Sequence, residues 1–108
     1  MEDDTLFLVT MDRDVEDLIA EAIQPSDQGS YLAIEPATAQ QIITSVRNMA
    51  ERFGMSGAQP LLLASPSIRR HVRKLIERFV PHMAVLSHNE IPQNVKIQSL
   101  GVVGFNAG

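Results

Sequence analysis

The chain has 108 residues, 44% of them apolar and 20% charged, which suits one folded domain with a single core and is too short for two. It contains no Cys and no Trp, which excludes disulfides, thiolate metal sites and a cysteine nucleophile and leaves the core to Leu, Ile, Val, Ala and Met. The net charge of −4 is uneven, with ten acids against Arg13 alone in residues 1–35 and eight bases against three acids in residues 36–108, a split read either as an interaction surface or as two halves of one fold that attract each other.

Met1–Asp4 is acidic and lacks the basic start of a signal peptide. Leu6–Val9 is a short run of strand formers and reads as a buried strand. Asp12 stands at the N-cap of a first helix, with Asp14, Glu16 and Asp17 in its opening turns, where carboxylates favour the positive end of the helix dipole. Val15, Leu18, Ile19, Ala22 and Ile23 recur at helical spacing, and Pro25, Ser26, Asp27 and Gly29 end the element. Tyr31–Ile34 reads as a second strand. Pro36 opens a second helix whose apolar face is Ala39, Ile42, Ile43, Val46, Ala50 and Phe53, and Gly54 stops it. Residues 54–59 read as a loop.

Pro60–Ala64 reads as a third strand, apolar on both sides as at the centre of a parallel sheet. It contains the longest fully apolar run, Leu61–Ala64, far below the ~20 residues of a membrane helix. Ser65–Pro66 pairs an N-cap hydroxyl with Pro at the first helical position. Ile68, Val72, Leu75, Ile76 and Phe79 form the buried face of this third helix, which ends at Pro81. Met83–Leu86 reads as a fourth strand, Ser87–Glu90 has capping-box spacing for one helical turn, and Pro92 closes that turn. Val95–Val103 reads as the last strand, with Gly101 at a bulge or bend, and 104–108 as a loose tail. The order β-α-β-α-β-α-β-β predicts a small α/β domain over 1–108, in two or three layers, with a mostly parallel sheet. Only about eight residues join the last two strands, so an antiparallel edge strand is expected at the end.

His71, His82 and His88 lie eleven and six residues apart, which fits no metal-ligand spacing, and His71, set between basic residues, is expected to face solvent. Ser65 with His71, or Ser87 with His88, could in principle pair as nucleophile and base, but neither serine sits in a Gly-x-Ser-x-Gly elbow and both have roles as caps. Gly-x-Gly-x-x-Gly and P-loop motifs are absent. A receiver-type phosphorylation site would need an Asp where Ala64–Ser65 stands. No catalytic, cofactor-binding or metal-binding residue is assigned, and neither an enzymatic role nor a cofactor is expected. The alternative, a small enzyme or ligand-binding domain using the carboxyl ends of its strands, would draw on Asp12, Glu35, Ser65 and Ser87.

Arg69, Arg70, Arg73, Lys74 and Arg78 form the most conspicuous surface signal. Arg69 and Arg73 share one face at i, i+4 spacing, as do Arg70 and Lys74. Three readings stand: a solvated helix face, a docking surface for an acidic partner segment or the acidic first helix of a neighbouring copy, and nucleic acid. Against nucleic acid are the acidic isoelectric point and the lack of a groove-reading motif or interleaved aromatics, and no nucleic-acid partner is expected.

Gln59–Arg69, Val72–Pro81, Ala84–Pro92 and Val95–Val103, taken together, resemble the C-terminal end of the type III secretion export-gate family (FHIPEP, or SctV-like). Ser87-x-x-Glu90-Ile91-Pro92 and Gln98–Val103 favour its flagellar branch, and Leu6–Thr10 with Gly29–Ala33 resembles the opening of the same terminal subdomain. The resemblance implies that residues 1–108 are the last cytoplasmic subdomain of a larger protein anchored in the bacterial inner membrane. Met1 would then be an artificial or processing start, and this piece would make no membrane contact itself. It further implies a nonameric ring of cytoplasmic halves that receives the stalk protein, the export ATPase complex and export chaperone–substrate complexes. In such a ring the terminal subdomain is associated with contacts to neighbouring gate subunits and the stalk protein and with substrate selection, while the main chaperone cleft lies in earlier subdomains. No binding residue is carried over from the family, so the basic cluster is the only docking candidate.

Overall fold

The computed structural model describes residues 5–54 and 59–105. Their elements run β1 (Thr5–Met11), α1 (Arg13–Ala22), β2 (Ile23–Ser26), β3 (Gly29–Leu32), α2 (Pro36–Gly54), β4 (Leu61–Leu63), α3 (Arg69–Ile76), β5 (Ala84–Leu86), one 3₁₀ turn (His88–Glu90) and β6 (Lys96–Val103). The acidic start, most of the 54–59 loop and the end of the tail fall outside the described residues.

Four strands form one sheet in the order β5-β4-β1-β6, every neighbouring pair parallel. Apolar runs on both sides of β1 and β4 suit these two central positions. Val9, Leu62, Val85 and Val103 share one face of the sheet and build a core with Val15 and Ile19 of α1, Ile42, Val46 and Phe53 of α2, and Val72 and Ile76 of α3. All three helices therefore cover the same face, and the domain has two layers.

The opposite face is also apolar. Leu8, Leu61 and Leu63 are buried there, with Leu6, Ala84, Leu86 and Ile91 packed around them. Ile91, in the strap of residues 87–95, packs against this face. This strap corrects the expectation of an antiparallel last strand. β6 is an edge strand, but it runs parallel to β1, from Thr5↔Lys96 to Met11↔Val103. The strap must cross three strand spacings, about 14 Å, and nine extended residues reach about 30 Å, so no helix is needed when β5 has only three residues. The register shifts between Leu8 and Thr10, which puts the expected bulge at Leu100–Gly101. Gly101 packs closely there: an added Cβ would lie 2.6 Å from Met49 Sδ, so the methionine side chain would have to shift.

The second predicted strand is corrected too. Residues 29–32 do not join the main sheet; they pair antiparallel with β2 in a separate hairpin, Ile23↔Leu32 to Ser26↔Gly29. The breakers expected to end α1 lie within this hairpin, whose turn is Asp27–Gln28, and α1 itself ends at Ala22. Gly29 there takes φ 118, a conformation that residues with a side chain rarely adopt, and Pro25 is tolerated because a two-stranded ribbon has outward-facing edges.

Candidate docking surface

The third helix begins later than its cap signal. Residues 66–68 form a turn and α3 starts at Arg69. Ser65 does not cap it through its side chain. Its hydroxyl and its backbone N–H both donate to Glu16 Oε2, each at 3.0 Å, which ties the end of β4 to α1. Asp12 likewise makes no side-chain cap bond; its carbonyl accepts from Val15 and Glu16.

The five basic residues divide into distinct environments. Arg69 is held internally: its Nε lies 2.9 Å from Glu90 Oε1 and its guanidinium donates to the Val85 carbonyl at 3.4 Å. Glu90 Oε1 also accepts from the Ser87 N–H at 2.9 Å and the Ser87 hydroxyl at 3.3 Å, so the Glu90 arm of the predicted capping box is formed and Arg69 braces it. Arg73 is exposed and lies 4.0 Å from Glu77 one turn on. Arg70 and Lys74 are exposed on the adjacent stripe, and neither forms an ion pair among the described residues. Arg78 is exposed in the turn after α3, beside Phe79. Phe79 was expected in the core but is 45% exposed, because the helix ends at Ile76 and Val80 fills the core instead. Both ion pairs lie within residues 69–90, so none among the described residues joins the acidic first third to the basic remainder.

His71 corrects the expectation of a solvent-facing side chain: it is buried, and its Nε2 lies 3.0 Å from Ser30 Oγ on β3. The separation suits a nucleophile–base pair. However, no group among the described residues hydrogen-bonds its other ring nitrogen, and Ser30 sits on a hairpin rather than a strand–helix elbow. His82 and His88 are exposed, and no set of three or more metal-ligating side chains gathers among the described residues.

Several grooves open on the surface of the described residues. One, of about 360 Å³, lies between the start of α2 and Phe105. A second, of about 190 Å³, lies between Leu18 and Ala22 of α1 and the chain around Glu35. A third, of about 270 Å³, lies between the hairpin and α3, with Lys74 on its edge. Of the four strand-end candidates, Glu35 lines the second groove, and Asp12, Ser65 and Ser87 line none of these. Gly104 and Phe105, read as the start of a loose tail, are tied down, Gly104 by donating its N–H to Ser45 Oγ at 3.1 Å and Phe105 by packing on the core.

The FHIPEP family matches residues 1–96 of the chain. The chain belongs to the FHIPEP family. The flagellar biosynthesis protein FlhA of Bacillus subtilis is 40% identical over 102 residues, 94% of the chain. The chain spans 15% of the length of that relative. Among solved structures, the nonameric SctV-C of EPEC superposes with a TM-score of 0.80 at 32% identity, over 92% of this chain and 29% of that one. CdsV in the complex of Chlamydia pneumoniae CdsV and CdsO gives 0.78 at 36% identity, over 94% and 30%. The relatives of this FHIPEP chain are export-gate proteins of flagellar and type III secretion, as the residue pattern over Gln59–Val103 implied. No helix among the described residues is long and apolar enough to cross a membrane.

The hairpin, its exposed Tyr31 and the Ser30–His71 contact escaped the reading of this FHIPEP sequence. The available signal was Ser26-Asp27-Gln28-Gly29, a two-residue turn between residues of strand type, which Pro25 obscured.

Proposed function

We propose that this FHIPEP chain is the last cytoplasmic subdomain of a membrane-anchored export-gate protein and acts as a non-catalytic docking module at the cytoplasmic face of the bacterial inner membrane. The observation that carries this reading is the fold shared with CdsV in its complex with CdsO. The nonameric assembly of SctV-C supports placing the chain in a ring of like subunits. Arg70 and Lys74, exposed and without ion pairs among the described residues, are the docking residues, flanked by Arg73 and Arg78. Arg69, engaged by Glu90, holds the helix in place. The partners are the stalk protein, export chaperone–substrate complexes and neighbouring gate subunits. The enzyme alternative would draw on Asp12, Glu35, Ser65 and Ser87; the two serine hydroxyls donate to Glu16 and Glu90, and none of the grooves described above gathers the four residues.

The test is Arg70→Glu with Lys74→Glu, titrated against the stalk protein and the chaperone–substrate complexes of the same system. Affinity for at least one partner is expected to fall by about tenfold or more, roughly 1.4 kcal/mol. The melting temperature should hardly move, since exposed charges contribute about 0–1 kcal/mol. Unchanged affinity for every partner overturns the assignment, and a large loss of stability would place both residues in internal pairing instead.

A further inference from the structure

The groove between the hairpin and α3 is built differently from the other two. Its polar floor is already satisfied, because Ser30 Oγ and His71 Nε2 hydrogen-bond each other at 3.0 Å. Beside that pair the lining is largely apolar: Leu32, Ile34 and Leu75, all half-buried. Tyr31 stands at the edge with 53% of its surface exposed. A tyrosine offers a large, stiff contact area that loses little conformational entropy on binding. The volume of about 270 Å³ compares with about 150 Å³ for an engineered cavity that takes up benzene, so one aliphatic or aromatic side chain fits.

The rim supplies charge. Lys74 lines the groove, Arg70 lies one turn before it on the same stripe, and neither has an ion pair among the described residues. An apolar socket lined by Lys74, with Arg70 one helical turn away, is complementary to an apolar side chain flanked by carboxylates. We propose that this groove receives a single aliphatic or aromatic side chain from an acidic segment of a partner protein, with the segment's carboxylates set against Lys74 and Arg70. This rests on the docking reading of α3 and adds to it the anchor and the charge of what docks. The socket gives the anchor its affinity through burial, and the cations give orientation and on-rate.

The experiment uses the 108-residue chain and a short acetylated peptide of glutamates and serines around one central leucine. Amide NMR shifts are followed during titration at low salt. Shifts are expected at residues 30–34 and 70–75. The leucine peptide should bind roughly tenfold more tightly than its alanine counterpart, and binding should weaken as salt screens the rim. Lys74→Glu should lower affinity about tenfold, and Tyr31→Ala, at an exposed position, should lower it about threefold with the fold intact. Equal binding of the leucine and alanine peptides overturns the socket while leaving the basic stripe as a docking face. Equal binding of a peptide with lysines in place of glutamates, or equally strong displacement by a single-stranded oligonucleotide of the same charge, overturns the acidic-segment assignment. No binding by any peptide also overturns the groove, and the Arg70 and Lys74 reversal with the apparatus partners decides the docking reading independently.

Discussion

Removing the Glu90 carboxylate tests how the helix-free face of the sheet is kept closed. Glu90 Oε1 accepts from the Ser87 N–H at 2.9 Å and sits 2.9 Å from Arg69 Nε. Ser87 is buried and begins the strap that carries Ile91 across Leu8, Leu61 and Leu63. In Glu90→Ala the Ser87 N–H loses its acceptor, which costs about 1–3 kcal/mol for a buried donor. The ion pair adds little, because the Arg69 and Glu90 side chains are 38% and 39% exposed and such pairs contribute about 0–1 kcal/mol. The sum is about 2 kcal/mol, a fall in melting temperature of roughly 10 °C for a domain of this size. Glu90→Gln keeps an oxygen for the Ser87 N–H and should cost under about 1 kcal/mol, as should Arg69→Ala. Urea unfolding measures all three, and hydrogen exchange should accelerate at Leu8, Leu61 and Leu63 in Glu90→Ala. If Glu90→Gln is as damaging as Glu90→Ala, charge pairing with Arg69 holds the strap and the reasoning from the buried N–H is wrong.

Gly101→Ala places a Cβ 2.6 Å from Met49 Sδ and 3.4 Å from a guanidinium nitrogen of Arg52; overpacking should cost about 1–3 kcal/mol in urea unfolding, and Met49→Ala in the same chain should recover part of it. Glu16→Ala should destabilise more than Ser65→Ala, because it strands both the N–H and the hydroxyl of Ser65, each worth about 1 kcal/mol; matched thermal melts of the two variants give the comparison, and equal costs would mean that the Ser65 N–H does not depend on Glu16.

What could be read in advance was whatever depends on local periodicity. The apolar face of α2 from Ile42 to Phe53, the all-apolar β4 and the glycine at the β6 bulge lie where spacing and composition put them. The hairpin was hidden because Ile23 continues the helical spacing of Val15 and Ile19, and only pairing with Leu32 turns it into a strand residue. The cap residues were recognised as good acceptors, but Ser65 found a carboxylate 49 residues away, a contact no local rule contains. His71 followed the same logic. Its basic neighbours suggested solvent, while its position on α3 faces the hairpin and Ser30, 41 residues earlier. Of the candidate site, the residue types and helical spacing of the basic cluster were legible; its division into held and free members was not.

That division follows from topology. The β1-to-β4 and β4-to-β5 connections both move toward one edge of the sheet, and right-handed crossovers then put all three helices on one face. The β5-to-β6 connection moves back the other way, and the same handedness sends it over the opposite face, where the strap lies. α3 thus packs above the short edge strand β5, with α2 beside it. It keeps a broad solvent face on which Arg70, Arg73 and Lys74 carry charge without entering the core. Arg69 sits where the helix passes the start of the strap, so Glu90 captures it. One basic cluster therefore holds two kinds of residue. A substitution at Arg69 should register in stability before it registers in binding, whereas one at Arg70 or Lys74 should do the reverse, because only the latter pair lies beyond the reach of the strap.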